Sequence, residues 1–246
     1  MQSAAAAPVV LGKDAMRRIA FVLAALAPLI WWIGRYTDVD LALADAAFDM
    51  RLHAFPWRDA WLADRFNHVI LKWLMLLAAA FCVGRAAVDA FAPQRSRTPL
   101  DRVRMRIVAL SAICVPLVIS LLKQASSSHC PWDLARYGGE QPYVRIFESL
   151  PAGAVAGHCL PAGHASSALW LVSLAVYWLP GSAGAARRAA FVGIALGAAM
   201  GIGQQLRGAH FLTHTLWSVW IACLVVVMLT ALVQAHARRF APDGAR

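Results

Sequence analysis

Residues 107–123 read IVALSAICVPLVISLLK, and this run decides the fold class. It carries no charge before Lys123 and approaches the ~20 apolar residues that a helix needs to cross a bilayer core. A second strong run occupies 214–235, and weaker ones lie at 18–35, 69–90, 164–180 and 189–206. Together they predict an all-α protein, a polytopic membrane helical bundle with about six transmembrane helices. The span 164–180 is short and opens on polar residues, whereas 189–206 is rich in Gly and Ala, which suits close helix packing. At 60% hydrophobic and 15% charged over 246 residues, the chain is too apolar for a soluble domain of its length. With no Gly- or Ser-rich linker and no internal repeat, 1–246 reads as one domain.

The start of the chain resembles a secretory signal, with Met16-Arg17-Arg18 before an apolar run and Ala25-Leu26-Ala27 as a small-residue site. Pro28 follows directly, however, and the run continues through Ile33. A signal peptide stops sooner, so an uncleaved first helix is expected.

A net charge of +10 does not mark a nucleic-acid partner, because the arginines sit in clusters between apolar runs. Lys13, Arg17 and Arg18 precede the first span. Arg95, Arg97, Arg102, Arg104 and Arg106 follow the second, Arg187 and Arg188 the fourth, and Arg238, Arg239 and Arg246 close the chain. With six spans all four clusters share one side, which the positive-inside rule makes cytoplasmic, both termini included. Trp31, Trp32, Trp73, Trp132, Trp178 and Trp217 stand near span ends, as interfacial aromatics do. The outer side then holds 36–68, 123–163 and a turn near 207–213. Within the first of these, Phe55-Pro56-Trp57 suggests a piece lying on the membrane surface.

Histidines gather on that outer side. His129, His158, His164, His210 and His214 lie there or at adjoining helix ends, with Lys123, Arg136 and Arg207. Taken alone, Lys123 is an ordinary snorkelling residue, and each histidine is an ordinary interfacial one. Gathered on one side, they point to a polar site. Hydrolysis of a phosphate ester without a metal needs cations for the phosphoryl oxygens. It also needs a nucleophile and an acid for the leaving oxygen. Histidine fills either of the last two roles near neutral pH.

The candidates fall into three blocks: KQASSSHCP at 123–131, PAGH at 161–164 and QQLRGAHFLTH at 204–214. In this order they resemble the type-2 phosphatidic acid phosphatase family, membrane relatives of the vanadium haloperoxidases. That family's pattern is K-x6-R-P, P-S-G-H and S-R-x5-H-x3-D. Lys123, Pro131, Pro161, Gly163 and His164 fit it. Cys130 and Gln204 stand at arginine positions, Ala162 at a serine and His214 at the aspartate. Residues 1–68 add little to the resemblance. It implies His210 as nucleophile, His164 as general acid, and Lys123 and Gly163 at the phosphate. It also implies no metal and no cofactor.

The departures admit compensation. On one helix Arg207, His210 and His214 fall within about 60° of each other, so Arg207 would supply a missing guanidinium and Arg136 another. His214, if neutral, would accept a hydrogen bond from His210, and Asp133 is an alternative carboxylate. A second register makes His214 the nucleophile with Ser218 orienting it. His210 is preferred, because Gly208-Ala209 lets backbone approach a phosphate and a nucleophile must meet a headgroup near the surface. His129 and His158 are read as rim or structural residues.

Cys82, Cys114 and Cys223 lie within spans and read as packing residues. Cys130 and Cys159 share the outer segment, where an oxidising compartment favours a disulfide.

The expected protein is a lipid phosphatase of a bacterial-type cytoplasmic membrane, with its site facing the periplasm. Its partners are the lipid bilayer and a membrane lipid phosphate. A lipid-to-lipid phosphotransferase, a non-catalytic lipid-phosphate binder and a metal-binding membrane protein remain as alternatives.

Overall fold

The computed structural model describes residues 9–94 and 96–239; Arg95 and Arg246, two of the basic residues counted above, lie outside them. The described chain is helical. Its elements are α1 (Lys13–Tyr36), α2 (Val39–Ala47), α3 (Leu62–Phe91), α4 (Pro99–Gln124), α5 (Gly163–Leu169, continued as a 3-10 helix over Trp170–Trp178), α6 (Ala183–Leu206) and α7 (Leu212–Arg239). Short 3-10 turns stand at Pro131–Asp133 and Ala135–Tyr137. Five helices, α1, α3, α4, α6 and α7, are long and apolar enough to cross a membrane.

The candidate for a sixth crossing is α5 with its 3-10 continuation. Seven α-helical residues followed by nine in a 3-10 helix reach about 28 Å at ~1.5 and ~2.0 Å per residue. The tighter 3-10 coil, with its larger rise per residue, thus gives a short apolar segment nearly the length of a core of about 30 Å.

Local signals set the helix starts. Thr98 accepts a hydrogen bond from the Asp101 amide with Pro99 just behind it, and Ser182 accepts one from the Ala185 amide, both N-caps that satisfy an orphan donor. The start of α7 is capped from another element. The buried Asp40 of α2 accepts from the Thr213 amide at 3.0 Å and from the Thr213 hydroxyl. Burial raises the proton affinity of Asp40, and the bonds from Thr213 oppose that rise.

The bundle is apolar inside and outside. Ile107, Val115, Ile119, Leu169 and Ala222 are sealed in the core, while Phe21, Leu77, Phe91, Phe191 and Leu232 face outward, more than 60% exposed. An outward belt of that kind fits lipid, not water. Gly193, Gly197 and Gly201 line one stripe of α6. A Cβ on them would run into Val172, Leu169 and Thr215 respectively, so bare backbone lets α5 and α7 close in.

Successive crossings alternate in direction and create two unlike ends. At one, the Val10 and Leu11 amides meet Gln234, and the buried Asp89 pairs with Arg97 and Arg102. Arg104 also donates there to the Leu179 carbonyl. The described members of the four basic clusters all gather at this end. The other end holds the C-termini of α4 and α6 and the N-termini of α5 and α7. Segments 36–61 and 125–162 cover it, stitched by Arg145–Asp38, Arg35–Glu148 and Arg136–Asp45 ion pairs. Phe55 belongs to this cover. It is buried among Phe48, Leu134, Tyr137 and Phe211, while the neighbouring Trp57 is exposed.

Candidate active site

The three sequence blocks meet at the covered end because backbone hydrogen bonds lace them together. The amides of Gly157, His158 and Cys159 donate to the carbonyls of Ser127, Ser126 and Ser128. Trp132 donates to Gly208 at 3.0 Å, and Ala162 to His214 at 3.1 Å. A disulfide joins Cys130 to Cys159. Position 130, an arginine in the family pattern, thus serves here as a covalent tie between the first two blocks.

The third block is not one helix. After α6 ends at Leu206, Gly208 takes φ +73°, and α7 starts only at Leu212. The reading that set Arg207, His210 and His214 on one helical face is corrected. A left-handed residue breaks the helix, and glycine is the residue that adopts that conformation without strain. A Cβ at 208 would also overlap the Phe55 ring. The turn carries His210, 3% exposed, and places His214 in the first turn of α7 beneath it, 1% exposed.

His210 is the middle member of the cluster. Its ring centroid lies 6.4 Å from that of His164 and 5.8 Å from that of His214. Its Nδ1 is 3.3 Å from Cys159 Sγ. A disulfide sulfur has no proton, so a hydrogen bond there runs from Nδ1–H to sulfur and leaves Nε2 with its lone pair free. The expected bond from His210 to His214 is therefore replaced by one to sulfur, and His214 Nδ1 is buried with no partner among the described residues. Burial, then the charges of His214, Lys123 and His164, hold His210 well below the usual histidine pKa. Ser218, the orienting residue of the second register, donates instead to the Ala162 and His214 carbonyls.

Arg207 is buried, and its guanidinium is engaged on three sides. It donates to Gln204 Oε1 at 3.1 Å, Asp64 Oδ1 at 2.7 Å and the Arg58 carbonyl at 2.9 Å. Gln204, at the family's arginine position, thus holds the arginine from three residues later. Arg136 is turned to Asp45 at 2.6 and 2.8 Å, in the cover and not among the histidines. Asp133 accepts from the Cys130 amide, and His129 contacts the Val155 carbonyl. Ser166 and Ser167 donate to carbonyls three residues back.

Three more residues border the site: Asp64 and His68, from the segment that adds little to the resemblance, and Lys72, near the start of the second span. His68 stacks beside His164, ring centroids 4.3 Å apart, and its Nδ1 lies 3.6 Å from Asp64. Lys72 shares a cavity of about 300 Å³ with Lys123, Gly163 and His164. The available signal was their spacing: 64, 68 and 72 stand four apart at the start of an apolar run. Part of that run is π-helical, Leu62–Leu71, a form that recurs at functional sites.

Cys130, Cys159 and His210 also bring ligand-type atoms within 4.8 Å of one another. Joined in a disulfide, the sulfurs are not thiolates, and the set does not suit a metal ion.

Fold and site together define a bundle of long apolar helices with clustered histidines and a lysine at one end. Residues 104–238, more than half of the chain, match the family model described as the PAP2 superfamily. The chain belongs to that superfamily, whose members are in general phosphatases. Neither the comparison with curated proteins nor that with solved structures gives a match.

Proposed function

We propose that this protein is a metal-independent lipid phosphate phosphatase whose site opens toward the outer leaflet of a bacterial-type cytoplasmic membrane. The observation that carries the reading is the pairing of His210 and His164 across 6.4 Å, with a cavity running down the bundle beyond His164. Two imidazoles at that separation can reach one phosphate ester from the same side of the site, one at phosphorus and the other at the leaving oxygen.

The reaction divides into two displacements. His210 Nε2 forms a bond to phosphorus as the bond to the lipid oxygen breaks, and His164 gives that oxygen its proton. Water then attacks the phosphohistidine while His164 takes the proton back, and phosphate leaves with both histidines restored. The disulfide sulfur at Nδ1 keeps the attacking nitrogen unprotonated. His68, held toward Asp64, supports the ring of His164. Lys123 meets the phosphoryl oxygens as their charge develops.

The cavity supports an amphiphile. On α4 its lining descends from Lys123 through Ser120 and Pro116 to Ala112, about 16 Å along the helix. Cations and His164 stand at its mouth and apolar side chains below.

Purified protein in detergent, offered a panel of lipid mono- and diphosphates, should release phosphate with or without chelator and be inhibited by orthovanadate. His164→Ala should lower turnover about 10²–10⁴-fold. No release from any member would leave a lipid-phosphate binder, and loss of activity with chelator would put a metal at the site.

A further inference from the structure

The motif residues leave this site short of positive charge. Cys130 and Gln204 replace arginines, and Arg207 of the third block is paired with Asp64. Among the motif positions only Lys123 remains to meet a dianionic phosphate.

A second cation stands across the cavity. Lys72 opens the α-helical part of α3, directly after the π-helical stretch. It lines the same cavity as Lys123, Gly163 and His164. Neither ammonium has a hydrogen-bond or ion-pair partner among the described residues, and both side chains are half-buried. The stem of Lys123 passes over Gly163, its Cδ 3.7 Å from where a Cβ would stand. A snorkelling lysine sits at a helix end and reaches for water along the lipid face. Lys72 does neither. The helix continues before it through Leu62–Leu71, and it borders an inward cavity. Two like charges and a histidine around one half-buried space repel each other until an anion enters.

We propose that Lys72 is a second phosphate-binding cation of this site, which together with Lys123 grips the phosphate of an amphiphile lying in the slot between α3, α4 and α5. It lies outside the family-matched residues 104–238 and takes over the charge that the motifs lack at 130 and 204. Below it Leu76 and Ala79, facing Ala112 and Pro116 of α4, form the apolar wall for the lipid portion. The inference deepens the phosphatase reading but does not depend on turnover.

Two measurements on the full chain in detergent test it: orthovanadate binding by equilibrium titration, and steady-state hydrolysis of a lipid phosphate. Lys72→Ala should weaken vanadate binding and raise KM, each by about 10–100-fold, the scale of a charge-assisted contact. The fall in kcat should be smaller. Lys72→Arg should recover most of both, and Lys13→Ala, at the opposite end, should change neither. Vanadate binding unchanged in Lys72→Ala, or a loss that Lys72→Arg does not recover, overturns the proposal. If the unaltered protein binds vanadate but hydrolyses no lipid phosphate, the phosphatase reading fails and Lys72 is still judged by titration. If it hydrolyses lipid phosphate and Lys72→Ala matches it in both assays, Lys72 fails and the reading stands.

Discussion

At the ring of His210, a disulfide sulfur stands at Nδ1, while a histidine, His214, holds the position where the family pattern has an aspartate. The carboxylate of a catalytic triad fixes a tautomer and stabilises the imidazolium. Sulfur achieves the first and gives little of the second, and burial pushes His210 further toward its neutral form. A base whose proton affinity is depressed stays neutral until the pH falls well below its ordinary value of about 6.5. The acid limb of kcat/KM, which reports the free enzyme, should therefore lie below the ordinary histidine range. An acid limb at or above 6.5 that disappears in His210→Ala would contradict this. Lys123, His164 and His210 were legible in the sequence because each sits in a spaced motif. Asp64, His68 and Lys72 were not. They reach the site across the bundle from a helix that carries no motif, and only folding brings His68 beside His164. Arg207 and Arg136 were legible as charges, but their carboxylate partners, Asp64 and Asp45, lie far away in the chain.

The elements around the site are short and irregular, and the disulfide governs them. It ties the segment after α4 to the segment before α5 and so sets Sγ against His210. Cys130→Ala breaks the bond but leaves the Cys159 sulfur in place as a thiol. A thiol donates its S–H, which favours Nδ1 as acceptor, moves the ring proton to Nε2 and blocks attack. Cys130→Ala, or reduction of the unaltered protein, should lower kcat about 10–100-fold with a smaller change in KM, as loss of an orienting contact does. Both thiols should alkylate only after reduction. Equal kcat in oxidised and reduced protein would remove the disulfide from the mechanism. The long helices were legible from hydropathy alone, since each carries a long and mostly apolar run. The break at Gly208 was not, because a glycine is as compatible with a helix end as with a turn. It took Phe55, packed where a Cβ would stand, to reveal a turn. The short span at 164–180 was legible as apolar, but the 3-10 geometry that lengthens it was not.

At the scale of the whole molecule, the bundle separates two kinds of charge. The described basic clusters occupy one end, where Arg97 and Arg102 pair with Asp89 and Arg104 donates to the Leu179 carbonyl. The histidines occupy the other, under a cover of loops stitched by ion pairs. That division fits a protein held across a membrane with its chemistry on one face. The covered end works as one unit. α2 caps α7, α3 brings Lys72 and His68, and the laced blocks bring Lys123, His164 and His210. All of it serves the claim that phosphate passes through His210. Rapid acid-free quenching with a lipid substrate labelled in its phosphate tests this most directly. A labelled phosphohistidine should form in the unaltered protein, vanish in His210→Ala, and form slowly but detectably in His214→Ala. A label that survives His210→Ala and disappears in His214→Ala would contradict the account.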